Sequence, residues 1–296
     1  MQVDRPLRAL SFSLAASIFF AGMGVSVKAL HGSVGTPEIV FFRGLAGAVV
    51  GVVLHLLARV PLRTDAPRVL LLRIVTGTLS LSCYYGAIGG AASEGQGALA
   101  TANLLLKTAP VWVALGAGFL LGERAGARVW LALGVGVAGA AIALANPAEG
   151  TGGRGTALLG LLSGVFAAGA YLSVRSLATR EQPLTIVTLF SLGVAVLMGP
   201  VVVFRWKALP DAHGWALVGS VAACGTTAQY LMTHAYRHGQ AAIVAVSGLS
   251  EVAFTVAAAM IFFDERPSAW TFVGGGLAVL AGLVATAPLR VSPRAS

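Results

Sequence analysis

Three ionisable residues interrupt long apolar stretches of this sequence. Arg43 lies about seven residues into one stretch, and Lys107 and Glu251 lie near the middle of two others. A charged side chain at the bilayer centre costs about 2.5–3.5 kcal/mol on insertion scales, and such residues usually face the interior of a helix bundle. We therefore expect Lys107 and Glu251 to face each other or one shared solute. We expect Arg43 to reach the outer membrane interface or to bind a carbonyl at a helix end.

Uncharged polar side chains share helical faces with these charges, because spacings of three, four and seven residues place side chains on one face. Such rows are Asn103, Lys107 and Pro110; Thr226, Gln229 and Thr233; and Ser247, Ser250 and Glu251. Tyrosine hydroxyls and rings add further contacts for a solute. The candidate substrate-binding residues are Lys107, Glu251, Asn103, Tyr84, Tyr85, Gln229, Tyr171, Ser247 and Ser250. The alternative is that these groups only join helix to helix, at about 0.6 kcal/mol for each hydrogen bond.

Pro110 is the candidate hinge. A proline inside a helix removes the backbone hydrogen bond to the carbonyl four residues earlier, which here belongs to Leu106. That carbonyl is adjacent to Lys107. We therefore expect the helix to be loosened next to the charged residue.

No arrangement of residues indicates catalysis. The five histidines do not pair at metal-ligand spacing, and neither a Gly-x-Ser-x-Gly motif nor a glycine-rich phosphate loop occurs. We expect no catalytic residue, no metal and no cofactor. Because no ATP site is visible either, any movement of a solute by this protein would have to be passive or coupled to an ion gradient, for example of protons.

The composition indicates a membrane protein. The chain is 57% hydrophobic and 10% charged, with a mean hydropathy of +0.84, whereas soluble proteins carry about 25% charged residues. The net charge of +9 does not indicate nucleic-acid binding, because the basic residues are spread over short loops. Lys and Arg in cytoplasmic loops explain the excess without a polyanionic partner.

Ten apolar segments have close to the ~20 residues that a bilayer requires. They cover residues 8–30, 36–58, 67–89, 97–121, 127–145, 155–176, 184–204, 214–236, 241–263 and 268–287. The connections between them are short, so no soluble domain is inserted.

Two stretches of the chain resemble each other, 95–143 and 239–285. Each begins with Gly-Gln, continues through an apolar run to Glu-Arg, and ends in a second Gly/Ala-rich run. This repeat predicts two halves, 1–149 and 150–296. Because five spans per half is an odd number, the second half enters the membrane upside down. The predicted fold is an all-α polytopic membrane protein with ten transmembrane helices as two inverted five-helix repeats.

Lys and Arg counts predict the orientation. With a cytoplasmic N-terminus, thirteen such residues fall on the inner side, Arg73 among them, and five on the outer side. We therefore expect both termini in the cytoplasm, in the cell (inner) membrane.

These features resemble the drug/metabolite transporter superfamily, EamA type, over nearly the whole chain. The strongest match runs from Thr108-Ala109-Pro110 to Gly122-Glu123-Arg124. The second half departs from the family pattern, since Glu251-Val252 stands where a proline is usual. Within the family, the chain resembles amino-acid exporters of the YddG type. The resemblance implies a carrier of small organic solutes that works by alternating access around a midplane cavity.

Small residues recur every four positions in several spans and predict close helix packing. The clearest rows are Ala132, Gly136 and Ala140, and Gly274, Ala278 and Gly282. The two Glu-Arg pairs, beginning at Glu123 and Glu265, are expected to make loop and helix-end contacts, with gate contacts as the alternative.

Several functions therefore remain open. Export of amino acids, aromatic or neutral, is the leading hypothesis. A multidrug, nucleoside or sugar carrier of the same superfamily is the alternative. From other classes come a channel and a membrane-embedded enzyme.

Overall fold

The computed structural model describes residues 5–30, 33–94, 105–144, 154–205, 211–263 and 269–286, and these residues form helices and short connections without strands. The first half contains α1 (Pro6–Ala29), α2 (Thr36–Ala58), α3 (Pro67–Glu94), α4 (Ala109–Leu120) and α5 (Ala127–Leu144). The second half contains α6 (Arg154–Ala178), α7 (Pro183–Arg205), α8 (Ala212–His238), α9 (Ala241–Ser247), α10 (Glu251–Phe263) and α11 (Ala269–Thr286). A 3₁₀ turn, Gly248–Ser250, joins α9 to α10.

Local sequence sets many of these boundaries. Pro6, Pro67 and Pro183 are the first residues of their helices, where a proline's fixed φ is favourable and its missing N–H is not needed. Helix α4 ends before Gly122, whose φ of +68° is a left-handed conformation that glycine adopts without strain. This turn places Glu123 back against the bundle, with its N–H donating to the carbonyl of Ala117 at 3.1 Å.

The set of helix pairs stays the same when the two halves of the chain are exchanged. The four most extensive contacts join α1 with α8, α3 with α6, α2 with α7, and α5 with α11. Counted as membrane spans, these pairs are spans 1 and 8, 3 and 6, 2 and 7, and 5 and 10. Replacing each span by its equivalent in the other half, five places along, converts the first pair into the second. The same replacement leaves each of the other two pairs unchanged. The predicted fold class is confirmed: the protein is a two-repeat helical membrane protein.

Apolar surface lies on the outside of the bundle. Among the described residues, six helices are long and apolar enough to cross a membrane, and three shorter apolar helices accompany them. Phe119 and Phe204 are about nine-tenths exposed, and Leu57 and Ile261 about three-quarters. Apolar side chains exposed to this extent match a surface that faces lipid.

Two predicted spans differ from the observed helices. The sequence predicts a continuous fourth span over 97–121, but the described part is helical at residues 105–106, has a turn at Lys107 and Thr108 and continues as α4 from Ala109. Residues 95–104 lie outside the described part of the chain. The ninth span, predicted as continuous over 241–263, is interrupted by the 3₁₀ turn. Both differences fall at the charged residues Lys107 and Glu251.

Arg73, one of the basic residues assigned to the inner side, lies inside α3 and not in a loop, and it is only 3% exposed. Its side of the membrane stays a prediction. Its guanidinium carbon lies 3.7 Å from the ring centroid of Phe190 on α7. The burial of Arg73 depends on partners from α7 and α8, which a count of charges along the chain does not include.

Candidate functional site

Lys107 and Glu251 each lie at a break in their own span. Lys107 and Thr108 form a turn immediately before α4, and Glu251 is the first residue of α10, directly after the 3₁₀ turn. A carboxylate at a helix N-terminus is favoured by the positive end of the helix dipole. Broken helices of this kind are tolerated at membrane depth only inside the protein, and transporters use them for binding sites.

The two charged side chains form an ion pair. Lys107 Nζ lies 2.8 Å from Glu251 Oε2, and the side chains are 9% and 20% exposed. The predicted contact between these residues is therefore present. Each charge compensates the other in a region where a single buried charge would be costly.

A cavity of about 60 Å³ adjoins the ion pair. Its walls come from α1, α4, α6, α8 and the ninth span. Besides Lys107 and Glu251, the polar and aromatic lining residues are Ser13, Ser17, Phe20, Tyr171 and Tyr236.

The structure brings some predicted residues to this cavity. Tyr171 lines it, stacked on Tyr236 with ring centroids 5.7 Å apart, and so does Pro110. Ser250 does not line it but donates to Ser17 Oγ at 3.2 Å. Pro110 occupies the first turn of α4, where it needs no hydrogen-bond partner. Its role as a hinge and the solute-binding role of the whole set stay predictions.

Other predicted residues lie elsewhere in the bundle. Tyr84 and Tyr85 belong to a hydrophobic cluster with Met23, and the Tyr85 hydroxyl donates to the Met23 sulfur at 3.3 Å. Ser247 is fully buried and donates to the carbonyl of Ile243 at 2.9 Å. Asn103 lies outside the described residues.

Gln229 has a partner that the sequence did not predict. Its Oε1 accepts a hydrogen bond of 2.7 Å from Nη2 of the buried Arg73. Arg43 is also buried, with Nη2 3.4 Å from the carbonyl oxygen of Gly225. Arg43 therefore binds a backbone carbonyl, but this carbonyl lies in the middle of α8, whereas the sequence led us to expect one at a helix end.

Glu123 connects three elements that line the cavity. Its Oε1 accepts from Arg175 Nε and its Oε2 from the backbone N–H of Ala241, both at 2.7 Å. Arg175 Nη1 donates to the carbonyl of Tyr236 at 2.8 Å. We call these four groups the Glu123 cluster. The sequence placed Glu123 at a helix end, but it contained no sign of Arg175 as its partner.

Several lining residues were not predicted. Ser13 and Ser17 are four residues apart on α1, and Met232 and Tyr236 are four apart on α8. Pairs at this spacing are common in any apolar helix. Only the packing of α1 against α8 distinguishes them from other pairs in the sequence.

A helical bundle with apolar outer surface, two repeats and an internal charged site at two helix breaks is the architecture of a membrane transporter. The EamA-like transporter family model matches the chain twice, over residues 7–145 and 154–287. The chain belongs to this family. It is therefore a membrane transporter and not an enzyme. The predicted division between residues 149 and 150 falls between the two matches and stays a prediction.

Several relatives are similar over most of their length. The pseudopaline exporter CntI of Pseudomonas aeruginosa is 33% identical over 282 residues, which is 95% of this chain and 96% of the exporter. A riboflavin transporter of Rhizobium johnstonii is 28% identical over 75% of this chain and 71% of its own. One solved crystal structure, 20% identical, has a TM-score of 0.78 and covers 94% of this chain and 96% of its own, which shows the fold.

Proposed function

We propose that the protein exports small zwitterionic organic solutes, amino acids or compounds with amino-acid character, by alternating access around the cavity at Lys107 and Glu251. The observation that carries this proposal is the ion pair of 2.8 Å at two helix breaks. An ammonium and a carboxylate on the protein match the carboxylate and the ammonium of such a solute.

Each buried charge keeps an opposite charge beside it when the solute replaces the ion pair. When a zwitterion enters, its carboxylate contacts Lys107 and its ammonium contacts Glu251, so neither residue is left as an uncompensated buried charge. The small cavity fits a state in which the residues bind each other. Entry of a solute then requires the ion pair to open, which the adjacent breaks in both spans allow.

The Glu123 cluster supports alternating access at one end of the site. It ties together α6, α8 and the start of α9, each of which contributes to the cavity wall. Breaking these few hydrogen bonds would let the elements separate on one side only. Export as the direction follows the relative described as a pseudopaline exporter, and the location proposed is the inner membrane with both termini cytoplasmic.

A second candidate is a planar aromatic solute. The stacked rings of Tyr171 and Tyr236 line the cavity, and aromatic faces of this kind stack on flat rings. The relative described as a riboflavin transporter makes riboflavin the probe for this candidate.

Counterflow in proteoliposomes tests both candidates. Vesicles preloaded with unlabelled amino acid, pseudopaline or riboflavin are given the labelled compound, with and without a pH gradient. We expect preloading with a zwitterion to accelerate uptake, as a carrier but not a channel would. Lys107→Met and Glu251→Gln should abolish this exchange, while Arg63→Ala, at an exposed ion pair with Asp65, should preserve it. Exchange of riboflavin without exchange of any zwitterion would overturn the proposal.

A further inference from the structure

Two buried arginines of the bundle have no carboxylate partner among the described residues. Arg43 is 4% exposed and Arg73 is 3% exposed. The acidic residues Glu123 and Glu251 in the same bundle already pair with Arg175 and Lys107. Unpaired buried charge is costly in lipid and usually marks a functional site.

Among the described residues, the two guanidinium groups have few hydrogen-bond acceptors. Each guanidinium has five N–H donors. Within the described part of the chain, Arg43 donates to the Gly225 carbonyl and Arg73 to Gln229. The Nε atoms of both arginines are buried and have no hydrogen-bond partner in the described ranges. The planar donor fork of arginine matches the two oxygens of a carboxylate.

The bundle is shaped to hold these guanidinium groups. A Cβ atom at Gly225 would collide with Arg43 Nε, and one at Gly77 would collide with Arg73 Nη1. The aromatic ring of Phe190 covers one face of the Arg73 guanidinium, at 3.7 Å from its central carbon to the ring centroid. Two helices therefore have glycine where a larger residue would displace an arginine.

The two arginines continue the cavity along one face of α8. Gly225, Gln229, Met232 and Tyr236 follow spacings of four, three and four residues, which is one helical stripe about 16 Å long. Met232 and Tyr236 line the cavity, and the contacts of Arg73 and Arg43 lie one and two turns further along. Their two contact points on α8 are about 6 Å apart.

We infer that Arg43 and Arg73 form a second site, which binds carboxylate groups separately from the Lys107–Glu251 pair. Two guanidinium groups whose contacts on α8 lie about one helical turn apart fit an anion with more than one carboxylate. Two sources have this chemistry: additional carboxylates of the transported solute, or a separate organic anion that binds beside it. The first source rests on the proposed function, whereas the anion site itself does not.

Thermal unfolding of the purified full-length protein in detergent tests the site, with citrate as the probe and chloride at equal ionic strength as the reference. We expect citrate to raise the midpoint by several degrees, because binding to the folded state stabilises it. Arg43→Gln and Arg73→Gln should each weaken citrate binding at least about tenfold, since each removes charged hydrogen bonds. Arg68→Gln, at an exposed position of α3, is the matched control and should respond like the wild type.

The unliganded variants separate binding from a structural role. If the arginines serve binding, Arg43→Gln should unfold no earlier than the wild type without citrate, because it removes an uncompensated charge. Arg43→Lys and Arg73→Lys keep the charge and supply a second pair of variants where the glutamine forms do not fold. No stabilisation of the wild type by citrate, or equal stabilisation of all variants, would overturn the inference.

A competition experiment distinguishes the two sources. If the carboxylates belong to the solute, glutamate should bind less tightly to Arg73→Gln while alanine binds equally, and citrate should compete with glutamate. If a separate anion binds, citrate and alanine should stabilise the protein additively. The double variant Lys107→Met/Glu251→Gln should keep the citrate response. The same double variant should lose zwitterion exchange. Loss of its citrate response would count against the second site, whereas retained zwitterion exchange would count against the proposed function, so the two failures are distinguishable.

Discussion

Lys107 Nζ and Glu251 Oε2 lie 2.8 Å apart, although the residues belong to different halves of the chain. Each occupies a helix break, and the breaks fall in the fourth and ninth spans, which correspond under the exchange of halves. The ion pair therefore lies where the two repeats meet. Few positions in a duplicated bundle allow one residue from each half to meet its counterpart.

The coupling between these residues is the first prediction. Lys107→Met and Glu251→Gln should each lower the free energy of unfolding by about 3–5 kcal/mol, because each leaves one buried charge without its partner. The double variant should lose much less than the sum, and the swap Lys107→Glu with Glu251→Lys should fold better than either single reversal. Denaturant unfolding of all seven forms, the wild type and the two single reversals included, measures the coupling.

Arg63→Ala is the control for this cycle, because Arg63 and Asp65 form an ion pair that is almost fully exposed. Its stability should match the wild type within error. Additive effects of Lys107→Met and Glu251→Gln would contradict the ion pair and, with it, the assigned site.

The sequence predicted the fold and this ion pair for one physical reason. Apolar length is a local property, and a charge inside an apolar span is costly enough to be informative without knowledge of neighbours. Lys107 and Glu251 are such charges. The repeat then related one to the other.

The remainder of the site depends on contacts between distant helices. Arg73 lies close to the start of α3, where its position along the chain matches an interfacial residue, and only Gln229 and Phe190 reveal that it is buried. Tyr84 and Tyr85 have the chemistry of solute contacts, but the packing of α3 directs them into a hydrophobic cluster. Sequence spacing identifies a shared face without identifying the helix that this face contacts.

A second prediction concerns orientation. A reporter protein that works in the cytoplasm should be active when it is fused after Ser296, and a reporter that works only in the periplasm should be inactive there. Setting aside the buried Arg73 and Arg175 reduces the thirteen inner-side basic residues to eleven, still more than twice the five on the outer side. Activity of a reporter that works only in the periplasm would contradict the orientation, because ten spans with an inner N-terminus require an inner C-terminus.

A third prediction tests the packing of α5 on α11, the helices with the predicted rows of small residues. A Cβ atom at Gly139 would lie 2.7 Å from the carbonyl oxygen of Gly274 and 3.0 Å from the amide nitrogen of Ala278. Backbone atoms cannot move aside as a flexible side chain does. Gly139→Ala should therefore lower stability by about 1–3 kcal/mol, measured by thermal or denaturant unfolding.

Gly134→Ala is the matched control on the same helix, since a Cβ there meets no atom within 4 Å. It should be neutral or slightly stabilising, because alanine favours helix more than glycine does. Equal behaviour of the two variants would mean that α5 and α11 do not approach each other as closely as described.

The last prediction concerns the Glu123 cluster as a closure of the cavity. Glu123→Gln keeps the shape of the side chain but removes the charge that accepts from Arg175 Nε and the Ala241 N–H. Hydrogen bonds to charged groups contribute about 1.5–3 kcal/mol, and the Glu123 side chain is only 18% exposed. We expect a loss of stability of this size, together with easier separation of α6, α8 and α9.

Access to the cavity measures that separation directly. Ser13, a buried lining residue, is replaced by cysteine after Cys83 and Cys224 have been changed to alanine, and its labelling by a membrane-impermeant maleimide is followed from each side. Glu123→Gln should speed labelling from one side only, because the cluster holds one end of the site. Arg124→Gln, at the exposed neighbouring position, should leave labelling unchanged. Unaltered labelling in Glu123→Gln would show that the cluster stabilises the fold without closing the cavity.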